Sequence, residues 1–178
     1  VLELQDIIAP SALKITQDSI ILGEKIARVF FVISYPRFLS EGWFSPIINL
    51  DKIFDISILI HPIDTSTILR QLQKKITEVQ SQIGINEKKG LVRDPILDTA
   101  YRDIEKLRDE LQQAREKIFD VGLYITIYGE NEEALGKAEA EIKNLLDSKL
   151  IYIKPALFQQ EEAFKSVLPV ANDQLNVN

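Results

Sequence analysis

His61, in Ile60-His61-Pro62-Ile63-Asp64, is the one side chain in this sequence whose ordinary pKa lies near neutrality. It ends an apolar run, a place where a general base sometimes sits, but no serine or cysteine nucleophile motif stands beside it. It is therefore read as a capped or partly buried histidine, and an enzyme pairing it with a carboxylate is the least favoured class of function. Asp55 and Asp120 enter two similar apolar runs and resemble paired carboxylates. Strand-edge turns commonly carry aspartate, and that structural role is the expected one. A second group is cationic. Lys88, Lys89 and Arg93 would form a basic tip able to meet an acidic partner or lipid headgroups, although Glu87 and Asp94 offset much of the charge. Lys88, Lys89, Arg93 and His61 are the candidate partner-binding residues, and no residue is assigned a catalytic, cofactor or metal role.

Several chemistries are excluded outright. Neither G-x-x-x-x-G-K-[ST] nor G-x-G-x-x-G occurs, so both phosphate-cradling loops are missing. The absence of cysteine removes disulfides, thiolate zinc sites and cysteine nucleophiles, and a single histidine cannot build a multi-histidine metal site. A net charge of −6 and a pI near 4.9 lack the basic footprint of nucleic-acid binders, so no direct nucleic-acid partner is expected. With 46% apolar and 27% charged residues over 178 positions, the chain has the composition of one ordinary globular domain. The longest apolar run, Ile26 to Tyr35, is broken by Arg28 and is about half of the ~20 residues a membrane helix needs. No membrane span is expected, and no signal peptide is visible. The sequence begins at Val1 and contains no methionine, so it is expected to be a piece of a longer protein.

Hydrophobic spacing supplies the elements that would position these residues. Leu69, Leu72, Ile76, Val79 and Ile83 recur at spacings of three and four, as do Leu97, Ala100, Ile104, Leu107, Leu111, Ala114 and Ile118. Each set draws one narrow apolar stripe along a helix. The interval from Gly84 to Asp94 carries two glycines and precedes Pro95, so the chain is expected to reverse there. The result is an antiparallel helical hairpin over about residues 65–118, its seam closed on the twin helix or on another subunit. Asp64 or Thr65 caps the first helix, and Asp94-Pro95 starts the second.

Strands are expected around this hairpin. Residues 12–16 and 19–22 flank a turn at Gln17-Asp18, and Gly23-Glu24 turns the chain into Ile26–Tyr35, a central strand ended by Pro36. Phe38 to Leu50 reads as a short helix packed by Trp43, and Ile56–Ile60 as a short buried strand stopped by Pro62. Val121 to Tyr128 alternates, with Val121, Leu123, Ile125 and Ile127 on one face and Tyr124 and Tyr128 on the other. Asn131 caps a helix from Glu132 to Leu146, Leu150–Lys154 is a last strand, and Phe158–Val167 a last helix. Phe54–Ile60 resembles Phe119–Ile125 position by position, and each run precedes a capped helix, which suggests two related strand–helix units. The expected fold class is α+β: a mixed or antiparallel sheet with ferredoxin-like strand–helix units and a long antiparallel helical hairpin. One domain would cover residues 1–170, and the polar residues 171–178 would be a linker.

Several pieces in this order resemble a known family. They are Ala9-Pro10-Ser11 before the strand meander, Ser34-Tyr35-Pro36-Arg37 with Gly42-Trp43 following, and Asp55-Ile56-Ser57 running into His61-Pro62. The hairpin with Gly90, the strand Val121-Gly122-Leu123-Tyr124 and the ending Phe164-Lys165-Ser166-Val167-Leu168-Pro169 complete the set. Over nearly its whole length the chain is similar to the N-terminal domain of the traffic ATPases of conjugative type IV secretion systems, the TraC/TrbE/CagE-like group. The resemblance implies a non-catalytic cytoplasmic domain, peripheral at the inner face of the cell membrane. It would dock the motor onto inner-membrane components of the secretion channel or onto neighbouring motor subunits. The family's P-loop ATPase domain would follow residue 178, so ATP and Mg are expected only there and no cofactor is expected in this chain. The alternative is a stand-alone ferredoxin-like module for a small molecule or nucleotide, with a pocket beside His61 and the helix start at Asp64.

Overall fold

The computed structural model describes residues 12–92 and 94–175. The chain divides into two units, one built from the segments up to Leu59 and from Val121, the other from Ile60–Asp120. Among the described residues the elements run β1 (Leu13–Ile15), β2 (Ile20–Leu22), β3 (Lys25–Ser34), α1 (Ser45–Ile48), β4 (Phe54–Pro62), α2 (Thr65–Lys88), α3 (Pro95–Gln112), β5 (Phe119–Gly129), α4 (Glu132–Asp147), β6 (Tyr152–Pro155) and α5 (Gln160–Val167).

β3 organises the first unit. Its apolar sequence is covered on both faces, as the continuous run predicts, and it is paired along both margins. β5 lies on one margin, while β2 over Lys25–Ala27 and β6 over Phe30–Ser34 share the other. The six-stranded antiparallel sheet has the order β1-β2-β3-β5-β4, with β6 attached to β3. The strand–helix–strand halves β3–α1–β4 and β5–α4–β6 therefore interleave as in ferredoxin-like folds. The helical hairpin occupies the β4–β5 connection. The sequence likeness between Phe54–Ile60 and Phe119–Ile125 does not mark these halves. It joins β4 to β5, which are antiparallel neighbours, whereas the topology makes β5 the counterpart of β3.

One face of the sheet carries the larger core. Leu135, Ala138, Ile142 and Leu146, spaced along one stripe of α4, pack on Phe30, Leu123, Ile125, Ile127 and Ile153. The other face buries Val29 and Ala156 against Ala163, with Phe31, Phe164 and Val167 beside them. β5 is thus apolar-facing on both sides. Leu123 through Ile127 are all buried, and the one-sided alternation read from Val121, Leu123, Ile125 and Ile127 is replaced by a central strand. Arg28, which breaks the apolar run, has a structural use. Its guanidinium donates to Glu139 (2.9 Å), Asp18 (3.0 Å) and Glu132 (3.1 Å), tying the β1–β2 turn and α4 to the middle of β3.

Other local expectations shift. The helix over Phe38–Leu50 shrinks to Ser45–Ile48, with half-buried Trp43 4.8 Å from the Phe44 ring. Asn131 caps α4 as expected, accepting from Ala134 N–H at 2.8 Å. β4 is an edge strand, not a buried one, because the sheet order leaves it a single neighbour. Of the expected linker 171–178, residues 173–175 fold back. Asp173 accepts from the Tyr124 hydroxyl, Gln174 N–H donates to Ser166 Oγ at 2.8 Å, and Leu175 packs beside α5.

Candidate functional site

The second unit consists mainly of the hairpin. α2 has 24 residues and is roughly 36 Å long at ~1.5 Å per residue. The two apolar stripes meet each other, which makes the seam internal to the hairpin. Ile76 and Val79 of α2 and Leu111 of α3 are buried, flanked by half-buried Leu69, Leu72, Ile83, Leu97, Ala100 and Ile104, while Leu107, and Ala114 beyond the end of α3, are exposed. Beside the seam, Gln80 donates to the Tyr101 hydroxyl (2.9 Å), which donates to Glu105 (2.6 Å). That carboxylate raises the Tyr101 pKa above its ordinary value. At the base, Asp64 accepts from the Ser66 hydroxyl and from Thr67 N–H (2.9 Å), and these bonds hold its carboxyl below its ordinary pKa.

The reversal differs from the expected interval. α2 continues through Gly84 to Lys88, since packing of Ile83 outweighs the ~1 kcal/mol cost of one helical glycine. The chain turns at Gly90, whose φ of 65° is the left-handed value that ends a helix. Leu91 N–H donates to Asn86 O and Gly90 N–H to Glu87 O, both at 3.0 Å, which satisfies the last carbonyls. Asp94 then caps α3 through Ile96 N–H at 2.8 Å, with Pro95 at the first helical position. α3 stops at Gln112, short of the expected residue 118. Ala114 adopts φ 54°, and Ile118 O instead accepts from Ile63 N–H at 3.2 Å as the strands begin.

The tip so formed is apolar as well as basic. Val92 is 91% exposed and Ile96 77%, and Ile85 and Leu91 are exposed beside them. Lys88 and Lys89 are exposed and make no ion pair among the described residues, while Arg93 lies outside the described residues. A depression of about 100 Å³ sits between the helix ends, floored by Ile83, Leu91 and Leu97 and rimmed by Glu87, Asp94 and Asp98. His61 does not belong to this group. It sits half-buried at the end of β4, with the whole of α2 between it and Lys88.

The first unit holds a larger cavity, of about 280 Å³, which the sequence did not suggest. Lys25, Lys52 and Lys137 converge on it with Tyr128, Ile53 and Glu130. A methyl group on Gly129 would fall 2.8 Å from Leu135 N, so glycine allows the close approach of β5 to α4 beside it. Lys137 pairs with Glu133 (2.7 Å) and Lys52 with Glu141 (3.6 Å). Burial, then a 2.6 Å hydrogen bond to the Asp55 carboxylate, push the Tyr128 phenol far above its ordinary pKa. His61 and Asp64 line neither of these two cavities. Among the described residues no His, Cys, Asp and Glu side chains are grouped so as to hold a metal ion, and no helix is long and apolar enough to cross a membrane. No protein-family model matches the chain, and no curated protein matches it.

Proposed function

We propose that this chain is a non-catalytic docking and assembly domain of a type IV secretion traffic ATPase. It contacts inner-membrane channel components or neighbouring motor subunits at the cytoplasmic face of the membrane. The observation that carries this reading is the hairpin tip, where Ile85, Leu91, Val92 and Ile96 are exposed beside Lys88 and Lys89. Clustered exposed apolar side chains next to charges mark protein-interaction sites, whereas isolated ones are ordinary. The resemblance in sequence supplies the kind of partner, and ATP with Mg belongs to the following domain. The test is capture of inner-membrane channel components by the full-length motor in the cells that make it. Val92→Ser/Ile96→Ser and Lys88→Glu/Lys89→Glu are expected to lower capture about tenfold, the equivalent of ~1.4 kcal/mol, with unchanged melting. Undiminished capture by both variants overturns the reading.

A stand-alone module for an anionic small molecule or nucleotide is the second reading, favoured by the three-lysine cavity. Its volume of about 280 Å³ falls near the low end of ligand pockets. Thermal stabilisation by ATP that disappears in Lys25→Ala/Lys137→Ala selects this reading, and no shift with ATP in large excess removes it.

A further inference from the structure

We infer that β4 is a self-pairing edge, through which two copies of this chain join antiparallel about Ile58. The inference does not rest on the docking reading. Exposed edge strands are normally blunted by shortness, proline or charge. The other margins follow that rule: β1 has three residues, and β6 has four and ends at Pro155. β4 has nine, eight of them ahead of its terminal Pro62, and Ile58 and Ile60 remain 49% and 59% exposed.

The backbone of β4 is oriented for such pairing. Tyr128 N–H donates to Ile53 O (3.3 Å) and Ile63 N–H to Ile118 O (3.2 Å), which fixes one antiparallel register with β5. Odd-numbered residues of β4 thus turn their N–H and C=O groups toward β5. Those of Phe54, Ile56, Ile58 and Ile60 face the open margin. Among the described residues no other segment bonds to them.

The strand is also complementary to itself. Ile58 is its midpoint, so a two-fold axis there spans all nine residues, with Pro62, opposite Phe54, able to accept but not to donate. Ile56 then stands opposite Ile60 of the other copy as a hydrogen-bonded pair, and Ser57 opposite Leu59. Asp55 stands opposite His61, in a pair of the closer, non-hydrogen-bonded kind. Moving the axis to Ser57 or Leu59 loses the carboxylate–imidazole match and shortens the overlap.

The absence of cysteine makes a single introduced thiol a reporter of register. In Ile58→Cys the two thiols fall in a hydrogen-bonded pair with Cα atoms about 5.5 Å apart, within disulfide reach. In Ile60→Cys they lie four positions apart, about 14 Å at ~3.4 Å per residue, beyond it. In a glutathione buffer, Ile58→Cys and the double variant Ile56→Cys/Ile60→Cys are expected to form covalent dimer at least tenfold more than Ile60→Cys. Light scattering is expected to show the wild-type mass doubling with concentration and Ile58→Lys remaining monomeric, with the melting temperature of the wild type at concentrations where that is itself monomeric. Equal cross-linking of Ile58→Cys and Ile60→Cys, or a wild-type chain monomeric at every concentration, overturns the inference.

Discussion

Gln160 stands in for a missing piece of the sheet, and replacing it should cost far more than a helix-surface glutamine normally does. β2 pairs with β3 as far as Ala27 and β6 begins at Phe30, so Val29 faces the gap between them. The fully buried Gln160 amide fills it, accepting from Val29 N–H at 2.9 Å and donating to Val29 O at 3.3 Å. Val29 O also accepts from Ala156 N–H (3.0 Å), so Gln160→Ala strips the N–H alone of its partner. A bare buried donor costs about 1–3 kcal/mol, and the vacated side-chain volume raises the total to about 3 kcal/mol. For a chain of this size that is a melting decrease of about 6–12 °C. Gln160→Glu separates hydrogen bonding from packing. Ionised, it sets a carboxylate oxygen against Val29 O; protonated, it restores one donor and one acceptor. Burial raises the folded pKa of this introduced group above the ordinary ~4.3. Its stability is therefore nearest wild type below that ordinary value and falls away as pH rises through the raised folded pKa. Urea denaturation of both variants from about pH 4 to 8 reads both effects. A cost below ~1 kcal/mol for Gln160→Ala, or a Gln160→Glu deficit flat in pH, refutes the reasoning.

Two further outcomes follow from single residues. Leu150 holds the left-handed turn after α4 at φ 58° with its side chain 58% exposed, so Leu150→Gly should raise stability by about 0.5–1 kcal/mol. A lower urea midpoint would contradict this. The Asp64 carboxyl is held below its ordinary pKa by Ser66 and Thr67, so its contribution is complete above the ordinary ~3.9 and is lost as pH falls through the lower folded value. Asp64→Asn, which still caps, should flatten the acid limb of the stability profile, and superimposable limbs would exclude the effect.

Where local chemistry decides structure, the sequence is legible. Asp64, Asp94-Pro95 and Asn131 mark three helix starts because a short acceptor, or a proline lacking N–H, suits orphan donors wherever the helix lies. The three-four stripes announce the hairpin for the same reason. Helix ends were less legible. Gly84 reads as a breaker and is passed over, while Ala114 reads as stripe and terminates α3 in a conformation its side chain disfavours. Packing of residues distant in sequence outweighs each local preference. The tip has a readable signal of its own, Leu91-Val92 in a connection between capped helices, beside the more conspicuous charges of Lys88, Lys89 and Arg93.

β4 and β5 show the limit most sharply. Phe54–Ile60 and Phe119–Ile125 match in kind at nearly every position, yet Ile58 is half exposed and Leu123 is buried. No periodicity distinguishes them, because edge or centre is set by sheet order. β5 acquires neighbours on both margins only when β3 and β4 close around it. The same long-range closure brings Lys25, Lys52 and Lys137 to one cavity from positions with no common spacing. A sequence pattern reports what a residue prefers in its own element, whereas a binding surface consists of groups whose preferences the finished fold leaves unmet. At the hairpin tip those groups are apolar side chains held in water, and along β4 they are backbone donors and acceptors on an open margin. Water bonds the open backbone groups of β4 in a single copy; the proposed second strand would take its place there, as the proposed partner would cover the apolar side chains of the tip.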